Sequence, residues 1–165
     1  MGQHRARAHR GRKRAGVGAV TTAAALPPGL ADLVDEFEGV STKDRLQLLL
    51  ELSQELPGLP GHLVGHRDSM EQVHECQTPL FLAVEVADDD RVQLYFDAPP
   101  EAPTTRGFAS ILRTGLHDEP VQTVLDVPDD FYVRLGLAEA VSPLRLRGMA
   151  AMLARIKRNV REQAR

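Results

Sequence analysis

The chain has 165 residues, a formal net charge of −3, one cysteine and no tryptophan. A single cysteine excludes an internal disulfide framework and a four-cysteine zinc site, and no apolar run reaches the roughly 18 residues that a membrane span needs. Aromatic residues make up only 4% of the chain and offer few platforms for stacking bases, so neither a membrane nor a nucleic-acid partner is expected.

Charge is distributed unevenly along the sequence. Residues 1–14 carry six basic and no acidic residues, and residues 143–165 carry seven basic residues and one glutamate. The segment between them is therefore acidic, and an acidic surface repels the phosphate backbone of nucleic acids. Residues 1–25 also lack hydrophobic periodicity, which predicts a disordered basic tail ahead of one folded domain over residues 26–165.

Two amphipathic helices are predicted at the start of this domain. Four apolar residues recur at helical spacing in the first helix, which ends at Gly39: Leu30, Leu33, Val34 and Phe37. Ser41 is expected to cap the second helix, which runs to about Leu56, and the two helices are predicted to pack as an antiparallel pair. A break rich in proline and glycine follows, and residues 62–75 are too polar for assignment.

A hairpin is predicted next, because apolar residues alternate from Pro79 onward. Residues 80–87 and 91–97 form its two antiparallel strands, with an acidic turn between them and one buried face. Thr104 or Thr105 is expected to cap the helix that covers this face.

The last part of the domain is predicted to be helical. Residues 117–141 contain two short helices, with Pro120 and Pro128 near their first turns. Ser142 is then expected to cap the longest helix of the chain. Its predicted buried stripe consists of Met149, Met152, Leu153, Ile156 and Val160.

Cys76 occurs where the polar segment gives way to the alternating apolar residues of the predicted hairpin. By residue type alone, a lone cysteine is more often a small buried hydrophobic residue than a nucleophile. At the mouth of a strand, however, a thiol can be presented to another molecule. The position therefore favours a reactive thiol, and any redox chemistry has to be completed by a partner, since no second cysteine is present.

Three motifs occur in a specific order along the chain. They are Val73-His74-Glu75-Cys76-Gln77-Thr78, then Thr105-Arg106-Gly107-Phe108, then Leu135-Gly136-Leu137 followed by Ser142-Pro143-Leu144-Arg145-Leu146-Arg147-Gly148-Met149. In this order and spacing they resemble the SufE family, the sulfur-acceptor proteins of iron–sulfur cluster assembly. The resemblance runs from about Leu30 to Val160.

The resemblance implies both a fold and a function. The family fold is α+β, with a small antiparallel β-sheet packed against several helices, similar to that of IscU scaffolds. The implied function is to accept persulfide sulfur on Cys76 from a SufS-type, pyridoxal-phosphate-dependent cysteine desulfurase, to stimulate that enzyme, and to pass the sulfur to a scaffold of the SufBCD kind. No cofactor of its own is expected, and a free thiol suits the cytosol.

Four residues near the motifs are candidate contacts with the loop or with a partner. They are Glu75, Gln77, Arg145 and Arg106, of which the two arginines have an alternative interpretation as charges on a helix surface. Glu75 stands where many family members have glycine. Of these four residues, Glu75 departs from the family pattern, whereas Gln77, Arg106 and Arg145 lie in motifs that match it.

Sulfur transfer of this kind depends on the thiolate fraction and the accessibility of the acceptor. The carboxylate of Glu75 should disfavour the thiolate of Cys76, whereas His74 or Arg145, if close in space, would favour it. Because no activating base is evident, we expect the thiol of Cys76 to react slowly in the free protein and to become reactive in the site of its partner.

Three alternatives remain open at the level of sequence. The first is a stand-alone cysteine enzyme, such as a thiol hydrolase or a one-cysteine peroxidase, although no base or oxyanion site is visible. The second is a non-catalytic adaptor in which the cysteine is structural. The third is a zinc site drawn from His62, His66, His74 and Cys76.

Overall fold

This computed structural model describes residues 26–164. Their main elements are a three-stranded antiparallel sheet and five α-helices. The predicted tail of residues 1–25 lies outside this part. The strands are β1 (Glu71–Gln72), β2 (Phe81–Val86) and β3 (Val92–Asp97), and the α-helices are α1 (Pro28–Glu38), α2 (Thr42–Gln54), α3 (Pro103–Leu116), α4 (Val121–Asp126) and α5 (Pro143–Gln163). The predicted α+β fold is confirmed.

The sheet has the order β1-β2-β3, and its centre is the predicted hairpin. The register pairs Phe81 with Asp97 and Val86 with Val92. The period-two pattern therefore predicted the ends of both strands to within one residue. β1 adds only two residue pairs at the outer edge of β2. The buried side chains of one sheet face join the main core: Leu82, Val84, Leu94 and Phe96.

The helices α3 and α5 contact this sheet, and α3 is also the element against which α1 and α2 pack. The predicted pairing of α1 with α2 is therefore not the main contact of either helix, because their buried faces are directed at a shared third helix; Arg45 Nε of α2 nevertheless donates to Phe37 O of α1 at 2.9 Å. Glycine permits the closest of these contacts. A Cβ atom on Gly107 would lie 2.6 Å from Cδ1 and 2.7 Å from the carbonyl oxygen of Leu49.

Three predicted helix starts differ in their outcome. Ser41 and Ser142 cap α2 and α5 as predicted, each accepting a backbone hydrogen bond at 3.3 Å. The predicted threonine cap of α3 is wrong. That helix begins at Pro103, whose ring fixes a helical φ, so Thr105 lies inside the first turn and is buried.

Short elements occupy the polar segment before the hairpin and the segment before α5. The polar stretch 62–75 contains a 3₁₀ turn at Arg67–Ser69 and the strand β1. Of the two predicted short helices, the first is α4, while the second is a 3₁₀ segment at Phe131–Leu135 that ends at Gly136 with a φ of 65°. Within residues 26–164, no helix combines the length and the apolar character that crossing a membrane requires.

Candidate functional site

Cys76 lies in the loop that connects β1 to β2. The ends of this loop are held together by the backbone hydrogen bond from Val73 N to Leu80 O, at 2.9 Å, and both of these side chains are fully buried. A turn at the start of the loop is closed by Cys76 N, which donates to Val73 O at 3.2 Å. The loop is thus anchored in the core at both ends, while Cys76 itself is half-buried.

The thiol faces a small cavity between the loop, the start of α3 and the start of α5. Its volume is about 40 Å³, enough for a few water molecules at most. The lining residues are Glu75, Cys76, Gln77, Thr78, Thr105, Phe108, Arg145 and Gly148. With the loop in this closed position, a cavity of this size leaves no room for a bound organic substrate.

Two contacts fit the loop onto these helices. The hydroxyl groups of Thr78 and Thr105 lie 3.1 Å apart, so the threonine expected to cap α3 contacts the loop instead. On α5, a Cβ atom on Gly148 would lie 3.1 Å from Sγ of Cys76. The glycine of the third motif therefore leaves space for the sulfur.

The thiol of Cys76 is protonated at neutral pH. Burial, together with a smaller effect of the neighbouring carboxylate of Glu75, raises the pKa of Cys76 from 9.0 to about 11. The guanidinium of Arg155 acts in the opposite direction. The expected effect of Glu75 is confirmed in direction, but the opposing positive charge comes from Arg155 and not from His74 or Arg145.

Arg155 belongs to an ionic cluster beside the cavity, which also contains Glu71, Glu75, Arg158 and Asn159. Its Nη2 donates to both carboxylate oxygens of Glu75 at 2.9 and 2.8 Å, and its Nη1 donates to Glu71 at 2.7 Å. Glu71 also accepts hydrogen bonds from Arg158 and, at 2.8 Å, from Asn159. The cluster ties β1 and the loop to the middle of α5.

The cluster changes the ionisation of both carboxylates. Burial opposes the ionisation of Glu71, but hydrogen bonds from Arg158, Asn159 and Arg155 outweigh it and lower its pKa to about 2. The hydrogen bonds from Arg155 also lower the pKa of Glu75. Both groups are therefore ionised at neutral pH.

The structure gathers three of the four candidate contact residues around the thiol. Glu75, Gln77 and Arg145 line the cavity with Cys76. Arg106 does not, because its guanidinium donates to the carbonyl oxygens of Ser53 at 3.2 Å and Ala98 at 2.8 Å. It is a half-buried link between α3, α2 and the end of β3, which also corrects its interpretation as a surface charge.

Sequence reasoning missed the ionic cluster. Its α5 members, Arg155, Arg158 and Asn159, are spaced three and four residues apart, which places them on one face of the helix. That spacing was visible in the sequence. What was not visible is the acceptor, because Glu71 and Glu75 are about 80 residues away in the chain.

The zinc alternative receives no support from the geometry. Residues 26–164 contain no group of three or more histidine, cysteine, aspartate or glutamate side chains placed to hold a metal ion. His62 instead lies 2.6 Å from a carboxylate oxygen of Glu85 on β2. The four residues considered for zinc therefore do not converge.

Comparisons with known proteins identify relatives that match most of the chain. A relative from Mycobacterium tuberculosis, described as an uncharacterized SufE-like protein, is 58% identical over 143 residues, covering 87% of this chain and 99% of that protein. The SufE-like protein 1, chloroplastic/mitochondrial, of Arabidopsis thaliana is 29% identical over 129 residues, which are 78% of this chain and 33% of that protein.

A solved structure and a family model extend the comparison. The solution structure of a hypothetical protein from Thermus thermophilus superposes with a TM-score of 0.74 and 41% identity, covering 85% of this chain and 98% of that one. The family model described as SufE, the Fe-S metabolism associated domain, matches residues 31–160. The match includes the cysteine loop, both covering helices and the ionic cluster, and the chain therefore belongs to the SufE family.

Proposed function

We propose that the chain is a sulfur acceptor and carrier, which takes persulfide sulfur onto Cys76 from a SufS-type cysteine desulfurase. The SufE domain places the chain in iron–sulfur metabolism. The observation that carries the finer proposal is the position of the one cysteine, on a loop anchored at both ends and beside a cavity that holds only water-sized molecules. The sulfur has to be brought by another protein.

The proposed step is a thiol–persulfide exchange. The thiolate of Cys76 attacks the outer sulfur of a persulfide on the donor, so that one S–S bond forms on Cys76 while the S–S bond of the donor breaks. The donor cysteine leaves as a thiolate, and no oxidant or reductant is consumed. A second exchange of the same kind passes the sulfur to a scaffold of the SufBCD kind.

The ionisation of the thiol favours a carrier over an independent enzyme. With a pKa of about 11, only on the order of one molecule in ten thousand carries a thiolate at pH 7. Independent cysteine enzymes depend on an activated thiolate. A carrier has no such need, because the site of its partner can supply the activating charge. We place the protein in the cytosol, where a protonated thiol is less open to oxidation than a thiolate.

Arg145 is the proposed point of contact with the desulfurase. It is exposed in the first turn of α5 and lines the thiol cavity, next to Leu144, an apolar side chain that is 44% exposed. Arginine is enriched at protein interfaces, and a partner that covers Leu144 would remove its apolar surface from water. Gln77 lines the same opening and would be covered by the same partner.

A desulfurase assay tests the function. The parent protein should raise the rate of alanine formation from L-cysteine by a SufS-type enzyme, and Cys76→Ser should lose this stimulation because it has no acceptor for the persulfide. Isothermal titration should show that Cys76→Ser still binds the enzyme, which separates loss of transfer from loss of docking. Equal stimulation by both proteins would contradict the proposal.

A further inference from the structure

We propose that Arg155 is a positioning residue for sulfur loading, whose ion pair with Glu75 holds the cysteine loop closed against α5 until a partner opens it. The inference rests on the proposed function of Cys76 as the sulfur acceptor. It assigns a task to Arg155, which lies outside the three family motifs, through its contact with Glu75 of the first motif.

The geometry of the pair suits a latch. One nitrogen of Arg155 contacts both oxygens of Glu75, at 2.9 and 2.8 Å, and charge-assisted contacts of this kind combine strength with a defined orientation. Glu75 directly precedes Cys76, so the pair acts on the reactive residue through a single peptide unit. The Arg155 side chain is 17% exposed and that of Glu75 is 46% exposed, so solvent reaches the pair from the side of the loop.

Arg155 is fixed in place by contacts other than the latch. Its Nη1 donates to Glu71 at 2.7 Å, and Glu71 is held in turn by Arg158 and Asn159. The ion pair with Glu75 can therefore break while the side chain of Arg155 keeps its position against Glu71. The moving partner is the loop.

Little else fastens the reactive part of the loop through side chains. Over the described part of the chain, the hydrogen bonds that side chains of residues 74–77 make to other elements all come from Glu75. The next such contact is that of Thr78 with Thr105. Once Glu75 is released, the packing of the Cys76 side chain against the core is what remains to hold this part of the loop, up to the contact of Thr78.

The closed state also contains a weakness that makes opening feasible. Nε of Arg155 is buried and has no hydrogen-bond partner among residues 26–164. A buried donor without a partner lowers the stability of the closed arrangement. A partner that offers an acceptor, or that competes for Glu75 with its own cation, can therefore open the latch.

Alkylation by iodoacetamide, followed by intact mass, measures the latch in the free protein. Cys76 is the one cysteine in the sequence, so every added carbamidomethyl group reports on it. We expect Arg155→Met to react about tenfold faster than the parent at pH 8, because it removes the charge-assisted pair, although it also removes the cation that lowers the pKa of Cys76. Glu75→Gln should also react faster, and there the loss of the carboxylate that raises the pKa of Cys76 adds to the loss of the pair. Arg158→Met, which loses a contact with Glu71 but none with Glu75, is the matched control and should stay within about twofold of the parent.

Two further readouts separate a latch from general destabilisation. The double variant Glu75→Gln with Arg155→Met should react no faster than the faster single variant, since the same pair is lost in both. The alkylation rate should depend only weakly on urea at low concentration, as expected for a local opening and not for global unfolding. Additive effects of the two substitutions, or a steep urea dependence, would overturn the inference.

Loading by a SufS-type desulfurase, measured on the same variants, separates the latch from the proposed function. If the parent gains sulfur on Cys76 but Arg155→Met alkylates at the parental rate, the latch is wrong and the carrier function stands. If Arg155→Met alkylates faster but neither protein gains sulfur, the latch stands and the carrier function is wrong.

Discussion

The sulfur of Cys76 is flanked by a carboxylate and a guanidinium with opposite effects on its ionisation. Burial is the main reason that its pKa lies at about 11, Glu75 contributes to that rise, and Arg155 reduces it. Because the folded pKa lies above the ordinary value of 9.0, the protonated thiol stabilises the fold below about pH 9, and this contribution is lost as the pH rises through 11.

The alkylation rate of Cys76 in the free protein should follow this pKa. We expect it to rise about tenfold for each pH unit from pH 7 to about 10 without reaching a plateau, because the thiolate fraction is still growing over that range. A cysteine in a short peptide is the reference, and its rate should level off near its ordinary pKa. A plateau for the folded protein below about pH 9, with the fold intact by circular dichroism, would contradict the ionisation described above.

The sequence predicted only part of this site. The polar-to-apolar transition at Cys76 and the negative neighbour Glu75 are local features, so both could be recognised from adjacent residues. Arg155 could not, because its role depends on how α5 is rotated against β1, and that is decided by packing across about 80 residues. Arg106 was misjudged for the same reason, since its acceptors are backbone carbonyls of distant elements.

At the scale of the elements, β1 is attached to α5 chiefly through Glu71. The folded-state pKa of Glu71 is about 2, below its ordinary value of 4.5, so the unfolded chain binds the proton more readily. The stabilisation by this carboxylate is therefore fully present above about pH 4.5 and is lost as the pH falls towards 2.

Glu71→Gln should accordingly lower the free energy of unfolding by about 2 kcal/mol at pH 7, as measured by guanidinium denaturation. The difference between parent and variant should shrink as the pH is lowered from 5 to 3. Glu36→Gln, a change at an exposed glutamate of α1, serves as the control and should be nearly neutral at both pH values. A loss that is constant with pH would show that the ionised carboxylate is not responsible.

The contact between α2 and α3 depends on the absence of a side chain at Gly107. Alanine favours a helix over glycine by about 1 kcal/mol, but the added Cβ would overlap Leu49, including its backbone oxygen. We expect Gly107→Ala to reduce the free energy of unfolding by about 2 kcal/mol in urea titrations, because overpacking outweighs propensity.

The matched control for this substitution is Gly61→Ala, since a Cβ atom there would have no neighbour within 4 Å and the backbone φ is not positive. It should change the stability by less than about 0.5 kcal/mol. A Gly107→Ala variant as stable as this control would mean that α2 and α3 can separate freely.

Element types were easier to predict than element partners. The hairpin and the serine caps follow from period-two alternation and from hydroxyl groups at helix starts, and both were confirmed. Periodicity shows which face of a helix is buried but not what covers it, so α3, the main packing partner of both α1 and α2, was not predicted. The threonine cap failed because Pro103 starts α3 one or two residues earlier.

The whole molecule combines a packed support with the loop that carries Cys76. The support consists of the sheet with α3 and α5, whose buried residues form one core. The loop carries a protonated thiol over a cavity too small for a bound organic substrate. These features fit the proposed role of a carrier that holds sulfur between two other proteins.

Intact-mass spectrometry after incubation with L-cysteine, pyridoxal phosphate and a SufS-type desulfurase tests the sulfur-carrier function most directly. We expect an added mass of about 32 Da, one sulfur atom, that peptide mapping assigns to Cys76 and that dithiothreitol removes. The absence of this adduct on the parent protein, or its presence at the same level on Cys76→Ser, would contradict the sulfur-carrier function.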